Sequence, residues 1–240
     1  MEIHKENKEI NKDYIHHQKF FLTNVLREVV FGVEDGMVST LGSITGIAIG
    51  SNNHAMVILA GVVIISVESI SMGIGSYLSN RSQEEMEKRK IKEEKEELEQ
   101  FPKEEKEELY QMYLKDGWSK NLAIQMSEEA SKNKELMLKE MIMRELKISG
   151  DPESVSIKGG FYMFFAYVLG GIIPLFAYFI LPIKNAVPLS ITITLIGLFA
   201  LGMSTTKFTK QPLIKSGLRV LVIGSVALIA GLAVGLLVGQ

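Results

Sequence analysis

Two stretches of this 240-residue chain are long and apolar enough to cross a bilayer, yet both carry carboxylates inside them. The first, at about 29–50, reads VVFGVEDGMVSTLGSITGIAIG and contains Glu34 and Asp35; the second, at about 55–79, contains Glu68. Neither holds a Lys or Arg beyond its first turn to balance them. An apolar helix needs about 20 residues to span the hydrocarbon, and an ionisable side chain at that depth costs roughly 2.5–3.5 kcal/mol on insertion scales. A chain that keeps three such groups is expected to fold as a bundle whose interior, or a water-filled route, receives them. Unpaired acids in that position demand a cation or a proton.

Three more apolar stretches follow, at about 160–181, 187–206 and 214–238. Pro182 and Pro188 are expected to bracket the turn between the third and fourth spans, and Pro212 to precede the fifth. Five crossings put the termini on opposite sides. One side receives Lys5, Lys8, Lys12, Lys19 and Arg27, a highly charged insert, and Lys207, Lys210, Lys215 and Arg219; the other receives only Lys184. The positive-inside rule then makes the N-terminus and insert cytoplasmic and the C-terminus external. Gly recurs every fourth residue at Gly32/Gly36, Gly42/Gly46/Gly50 and Gly231/Gly235/Gly239, a spacing that lets helix backbones approach closely in lipid, with the first span as the expected interface.

The charge average of the chain, 22% charged with net charge −2, hides this segregation, because most of the 28 acids and 26 Lys/Arg fall between 80 and 158. Asn80–Gln100 is dense in Glu and Lys, both good helix formers, and no breaker separates it from the second span. Phe101-Pro102 ends that helix; a second is expected to about Lys115, and a third over 120–147 after Asp116-Gly117, with Ser119 as cap and Ser149-Gly150-Asp151-Pro152 as its end. The expected fold is all-α and polytopic: five transmembrane helices plus a three-helix cytoplasmic insert. Its divisions are an N-terminal arm (1–27), spans one and two (28–79), the insert (80–158) and spans three to five (159–240). The arm, with His4, His16 and His17, lacks signal- and transit-peptide features and reads as soluble or interfacial. Short loops and the lack of a targeting segment point to a prokaryotic plasma membrane, with a vacuolar membrane as the alternative.

Adjacent helical residues point about 100° apart, so Glu34 and Asp35 cannot both face one pathway. Glu68 and Met72, four apart, share a face; a carboxylate beside a thioether favours a borderline transition metal such as Fe(II), although Met72 alone also reads as an apolar lining residue. In the insert, Glu94/Glu97, Glu105/Glu108 and Met141/Glu145 each share a helix face and could bite one metal ion, while Glu/Lys runs also read as solvated faces laced with salt bridges. Met141 and Met143 beside Glu140 and Glu145 are unusual for such a face. Other chemistry is missing. The sequence has no Gly-Lys-Ser/Thr phosphate loop, no Gly-rich dinucleotide motif, no HExxH and no Ser/His/Asp arrangement, so neither ATP hydrolysis nor enzymatic catalysis is expected. It has no Cys for a thiolate site, and its basic residues interleave with acids, which disfavours nucleic acid. No prosthetic group is expected.

Over about residues 25–238 the chain resembles the vacuolar iron transporter family. The most specific strings are Asp35-Gly36-Met37-Val38-Ser39-Thr40-Leu41-Gly42 and Ser69-Ile70-Ser71-Met72-Gly73-Ile74-Gly75-Ser76-Tyr77-Leu78-Ser79, and the order of two spans, an acidic helical insert and three spans also fits. The resemblance implies a homodimer of five-helix subunits that exports Fe(II), often Mn(II), from the cytosol in exchange for protons, along a path between the subunits lined by their first helices. It carries the pathway Asp onto Asp35 and the pathway Met onto Met72. It carries the insert's ligands onto Glu94, Glu97, Glu105, Glu108, Met141 and Glu145. Divalent metal ions, protons, lipid and a second copy are the expected partners. A passive cation channel and a membrane-anchored metal buffer or sensor are the competing expectations.

Overall fold

The computed structural model describes residues 23–148 and 155–238; His4, His16, His17, Gly239 and the 149–152 turn lie outside them. Among the described residues every regular element is a helix. Helix α1 (Thr23–Ser51) begins six residues before the expected apolar stretch and takes in Arg27 and Glu28. It ends where Asn52 enters the left-handed region at φ 46°, which Asn tolerates better than most residues. Asn53 then caps the next helix, its side chain accepting from the Met56 amide at 3.1 Å.

Helix α2 (His54–Gln100) runs 47 residues without interruption, roughly 70 Å at 1.5 Å per residue. That is about twice the hydrocarbon thickness, so the apolar half and the Glu/Lys half form one rod. The chain reverses at Phe101, and α3 (Pro102–Lys115) starts with Pro in its first turn. The expected third insert helix is two: α4 (Lys120–Ser131) and α5 (Lys134–Arg144). The physical reason is Asn133, whose side chain accepts from the Glu135 and Leu136 amides at 3.0 and 3.3 Å and so begins a new helix rather than continuing the old one. The second piece also stops short of 147, where Lys147 takes φ 54°.

Helix α6 (Val155–Ile180) follows, then α7 (Ile183–Ser204), the short α8 (Thr206–Thr209) and α9 (Leu213–Val238). Pro182 caps α7 as expected, but Pro188 lies inside the helix and not at the turn. The missing proline amide costs α7 one backbone bond, as Pro174 does in α6. The Ser190 hydroxyl, beside this weak point, donates to the Pro174 carbonyl at 2.7 Å and pins the two proline-bearing helices together. At the other turn of this end, the His54 ring nitrogen meets the Tyr178 carbonyl at 2.7 Å and ties the start of α2 to the end of α6.

Four helices are long and apolar enough to cross a membrane: α2, α6, α7 and α9. They expose Phe161, Phe165, Phe176, Val222, Val226 and Ile229, side chains that a bilayer solvates and water does not. The chain is therefore an integral membrane protein. Helix α1 is more polar than α6, α7 and α9, and it packs against all four spans, most extensively against α6 and α9. Backbone proximity explains its glycines. A Cβ at Gly42 would sit 2.9 Å from the Ala227 carbonyl and one at Gly46 would sit 2.6 Å from that of Gly231, while Gly32 meets Ala166 and Met163 of α6. Two apolar cores result. One, around Ile44, Val57, Leu175 and Tyr178, joins the membrane helices; the other, around Leu109, Tyr113, Ala123, Met137 and Met141, joins α3, α4 and α5.

Gly46→Val forces α1 off α9 and is expected to destabilise the protein by about 1–3 kcal/mol, read as a lower Tm in detergent. Gly75→Ala, where an added methyl meets nothing within 4 Å, should leave the Tm unchanged or raise it slightly, because Ala favours the helix.

Candidate metal centre

Reversal at Phe101-Pro102 lays α3 back along α2, and α5 closes over both. One carboxylate from each helix then converges. Oxygen atoms of Glu94 (α2), Glu105 (α3) and Glu145 (the C-cap of α5) all lie within 4.8 Å of one another. Glu94 and Glu105 are buried, and Glu94 Oε1 and Glu105 Oε2 have no hydrogen-bond partner among the described residues. Met141, one turn before Glu145, is fully buried in the insert core. Glu97 and Glu108 are exposed, one turn along from Glu94 and Glu105, and their charges reach the cluster.

Several of the insert's cations pair elsewhere. Arg89 pairs with Glu93 at 3.3 Å, Lys92 with Glu96 at 3.6 Å and Lys106 with Glu128 at 3.7 Å. Among the described residues no Lys or Arg forms an ion pair with Glu94, Glu97, Glu105, Glu108 or Glu145. Burial, then the charges of Glu145 and Glu105, push the Glu94 carboxyl up to about 8. Burial followed by Glu108 raises Glu105 and Glu145 as well. At neutral pH the cluster therefore retains a proton that a divalent cation could replace. Carboxylate oxygens are hard donors suited to Mg, Ca or Mn, and a thioether at hand extends the set toward Fe(II).

In the membrane half, Glu34 and Asp35 are partly buried in the middle of α1, and Glu68 is exposed on α2. Asp35 and Glu68 lie close enough for their charges to interact, and both act on the buried Tyr167 hydroxyl, which shares a 2.5 Å hydrogen bond with Ser39. None of the three acids has a Lys or Arg ion-pair partner among the described residues. Met72 lines a cavity of about 620 Å³ with Glu28, Phe31, Ser76, Asn80 and Met163, room for a hydrated ion. Glu28 is the acid that sequence inspection passes over. It is 5% exposed and held by Ser76 Oγ, which donates at 2.9 Å, and by Arg27 at 3.0 Å. Its signal was its spacing: seven residues before Asp35 is two helical turns on one face.

Residues 26–236 match the model of the VIT family. Vacuolar iron transporter 1 of Tulipa gesneriana is 29% identical over 220 residues, 91% of this chain and 89% of that protein. Vacuolar iron transporter 1 of Arabidopsis thaliana is 29% identical over 214 residues, 88% and 86% of the two chains. The vacuolar iron transporter of Plasmodium berghei (strain Anka) is 28% identical over 237 residues, 94% and 86%.

A carboxyl raised in the folded state makes the unfolded chain the weaker proton binder, so metal-free stability falls as pH climbs from about 4.5 to about 8 and is flat above. Protection factors of α3 and α5 amides in metal-free protein, corrected for the base catalysis of exchange itself, are expected to be lower at pH 8.5 than at pH 6. Mn(II) should raise them at the higher pH, and Glu94→Gln should remove most of their pH dependence.

Proposed function

Because the chain belongs to the VIT family, we propose that it is a transporter that exports Fe(II), and secondarily Mn(II), from the cytosol in exchange for protons. The observation that carries this is the set of converging, unpaired carboxylates on α2, α3 and α5, on a rod that continues into the membrane past Met72 and Glu68. The insert, residues 80–158, gathers metal through Glu94, Glu97, Glu105, Glu108, Met141 and Glu145. Asp35, Met72 and Glu68 receive it in the membrane.

Helix α1 is the fifth span: it packs against four apolar helices, and its 29 residues exceed the ~20 needed to cross the hydrocarbon. The arm (1–27) and insert are cytoplasmic, on the side of the Lys/Arg excess, and the host is a prokaryotic plasma membrane. The transporter is a homodimer. A single chain leaves Glu68 facing outward, where lipid would surround a carboxylate; a second copy over that face turns it into the wall of an aqueous route and brings two Asp35 side chains to it. Metal and protons compete there for the same oxygens. A bound cation favours the ionised carboxylate and a desolvated site favours the protonated one. Metal arriving from the cytosol releases protons inward, and protons from outside release metal outward, so the two fluxes couple without nucleotide.

In proteoliposomes loaded with a pH indicator, Asp35→Ala is expected to cut Fe(II) flux at least ~100-fold, on the scale of losing a site's central ligand charge, and to abolish the linked pH change. Full activity in that variant would end the proposal. Metal flux with no pH change in the wild type would indicate a channel instead. Replacing residues 81–156 by a short linker should leave reduced flux; complete loss would favour a metal buffer.

A further inference from the structure

Resting on the proposed metal role of Glu94, Glu105 and Glu145, we propose that Glu140, Asp116 and Tyr113 hold the Arg144 guanidinium away from the carboxylate cluster and so keep that site open to metal. Arg144 immediately precedes Glu145, as Lys95 follows Glu94 and Lys106 follows Glu105, and it is the one arginine of the three. A guanidinium is a strong rival to a divalent ion: it is permanently charged and its planar fork matches carboxylates two oxygens at a time. Adjacent positions on a helix diverge by about 100°, an angle a long arginine side chain spans when free, as Arg27 does to reach Glu28 at 3.0 Å.

Three anchors turn it the other way. Its Nε donates to Glu140 Oε2 at 2.8 Å, a second nitrogen forms an ion pair with Asp116, and its plane lies 4.5 Å from the centre of the Tyr113 ring. The Tyr113 hydroxyl donates to the same Glu140 oxygen at 3.1 Å, which fixes the acceptor. The other ion-paired Lys and Arg side chains of the insert are 38% exposed or more, whereas that of Arg144 is 20% exposed, between α3 and α5. So much pairing for one cation, one residue from a cluster that has none, is the expected arrangement if the guanidinium must be kept out. Arg144 and its anchors are positioning residues; they touch no metal.

A cycle of variants of the full-length protein in detergent, titrated with Mn(II), tests this. Glu94→Gln/Glu105→Gln defines the insert's share of binding. Asp116→Asn/Glu140→Gln releases Arg144 and is expected to weaken that share at least ~10-fold, the scale of one charge-assisted hydrogen bond. Adding Arg144→Gln should restore it, while adding Arg144→Lys, which keeps the charge, should not. Amides of α5 should stay as protected from hydrogen exchange as in the wild type throughout. If the Glu94/Glu105 variant binds Mn(II) as the wild type does, the metal site falls and the guard with it. If that control removes binding but the release variant binds normally, or Lys restores as well as Gln, or α5 loses protection, the guard alone is overturned and the cluster is a structural clasp.

Discussion

Everything in this molecule answers to the cost of taking carboxylates out of water without a basic partner. Ion pairing is the ordinary remedy, and the insert uses it freely on its exposed faces, where Arg81, Lys88, Arg89, Lys92 and Lys132 each meet a Glu three or four residues away. The remedy is withheld at the Glu94–Glu105–Glu145 cluster, with Glu97 and Glu108 beside it, and in the Glu34, Asp35 and Glu68 set of the membrane half. Burial and mutual repulsion leave the oxygens of the insert cluster poised between proton and metal. The chain's own cations are numerous enough to fill both, so their exclusion is a property of the fold and not of composition.

Close backbone packing makes the membrane half possible. Helix α1 carries the acids and is too polar to be surrounded by lipid, so it is wrapped by apolar neighbours. Glycines bring α9 and α6 to within touching distance of its backbone, and the contacts run in register from Gly32 to Gly50. Dispersion between surfaces this close replaces the hydrophobic driving force that lipid removes. The insert solves the opposite problem, a small core in water, with Leu109, Tyr113, Met137 and Met141.

Much of this was legible in the sequence because it depends on local rules. Apolar length marks the spans, Phe101-Pro102 marks the reversal, and the lack of any breaker after Ser79 marks α2 as one rod. What was not legible depends on tertiary context or on weak local signals. Asn133 starts a helix because its side chain caps two amides, a competition that composition does not reveal. Pro188 is tolerated inside α7, where turn statistics place it outside. Spacing pairs Glu94 with Glu97 and Glu105 with Glu108 along their own helices. The convergence that matters takes one acid from each of three helices, and that needs the reversal and the core. Glu28 fell outside a hydropathy window that opened one residue later.

The unbroken α2 has a mechanical consequence. With its lower half gripped by α6 and its upper half carrying Glu94 about 40 Å beyond the membrane midpoint, it is a lever with no hinge. A change of about 10° in its inclination sweeps the far end sideways by about 7 Å, more than the span of the whole carboxylate cluster. Movement at the gripped end and the position of the acid cluster at the free end are thus one degree of freedom.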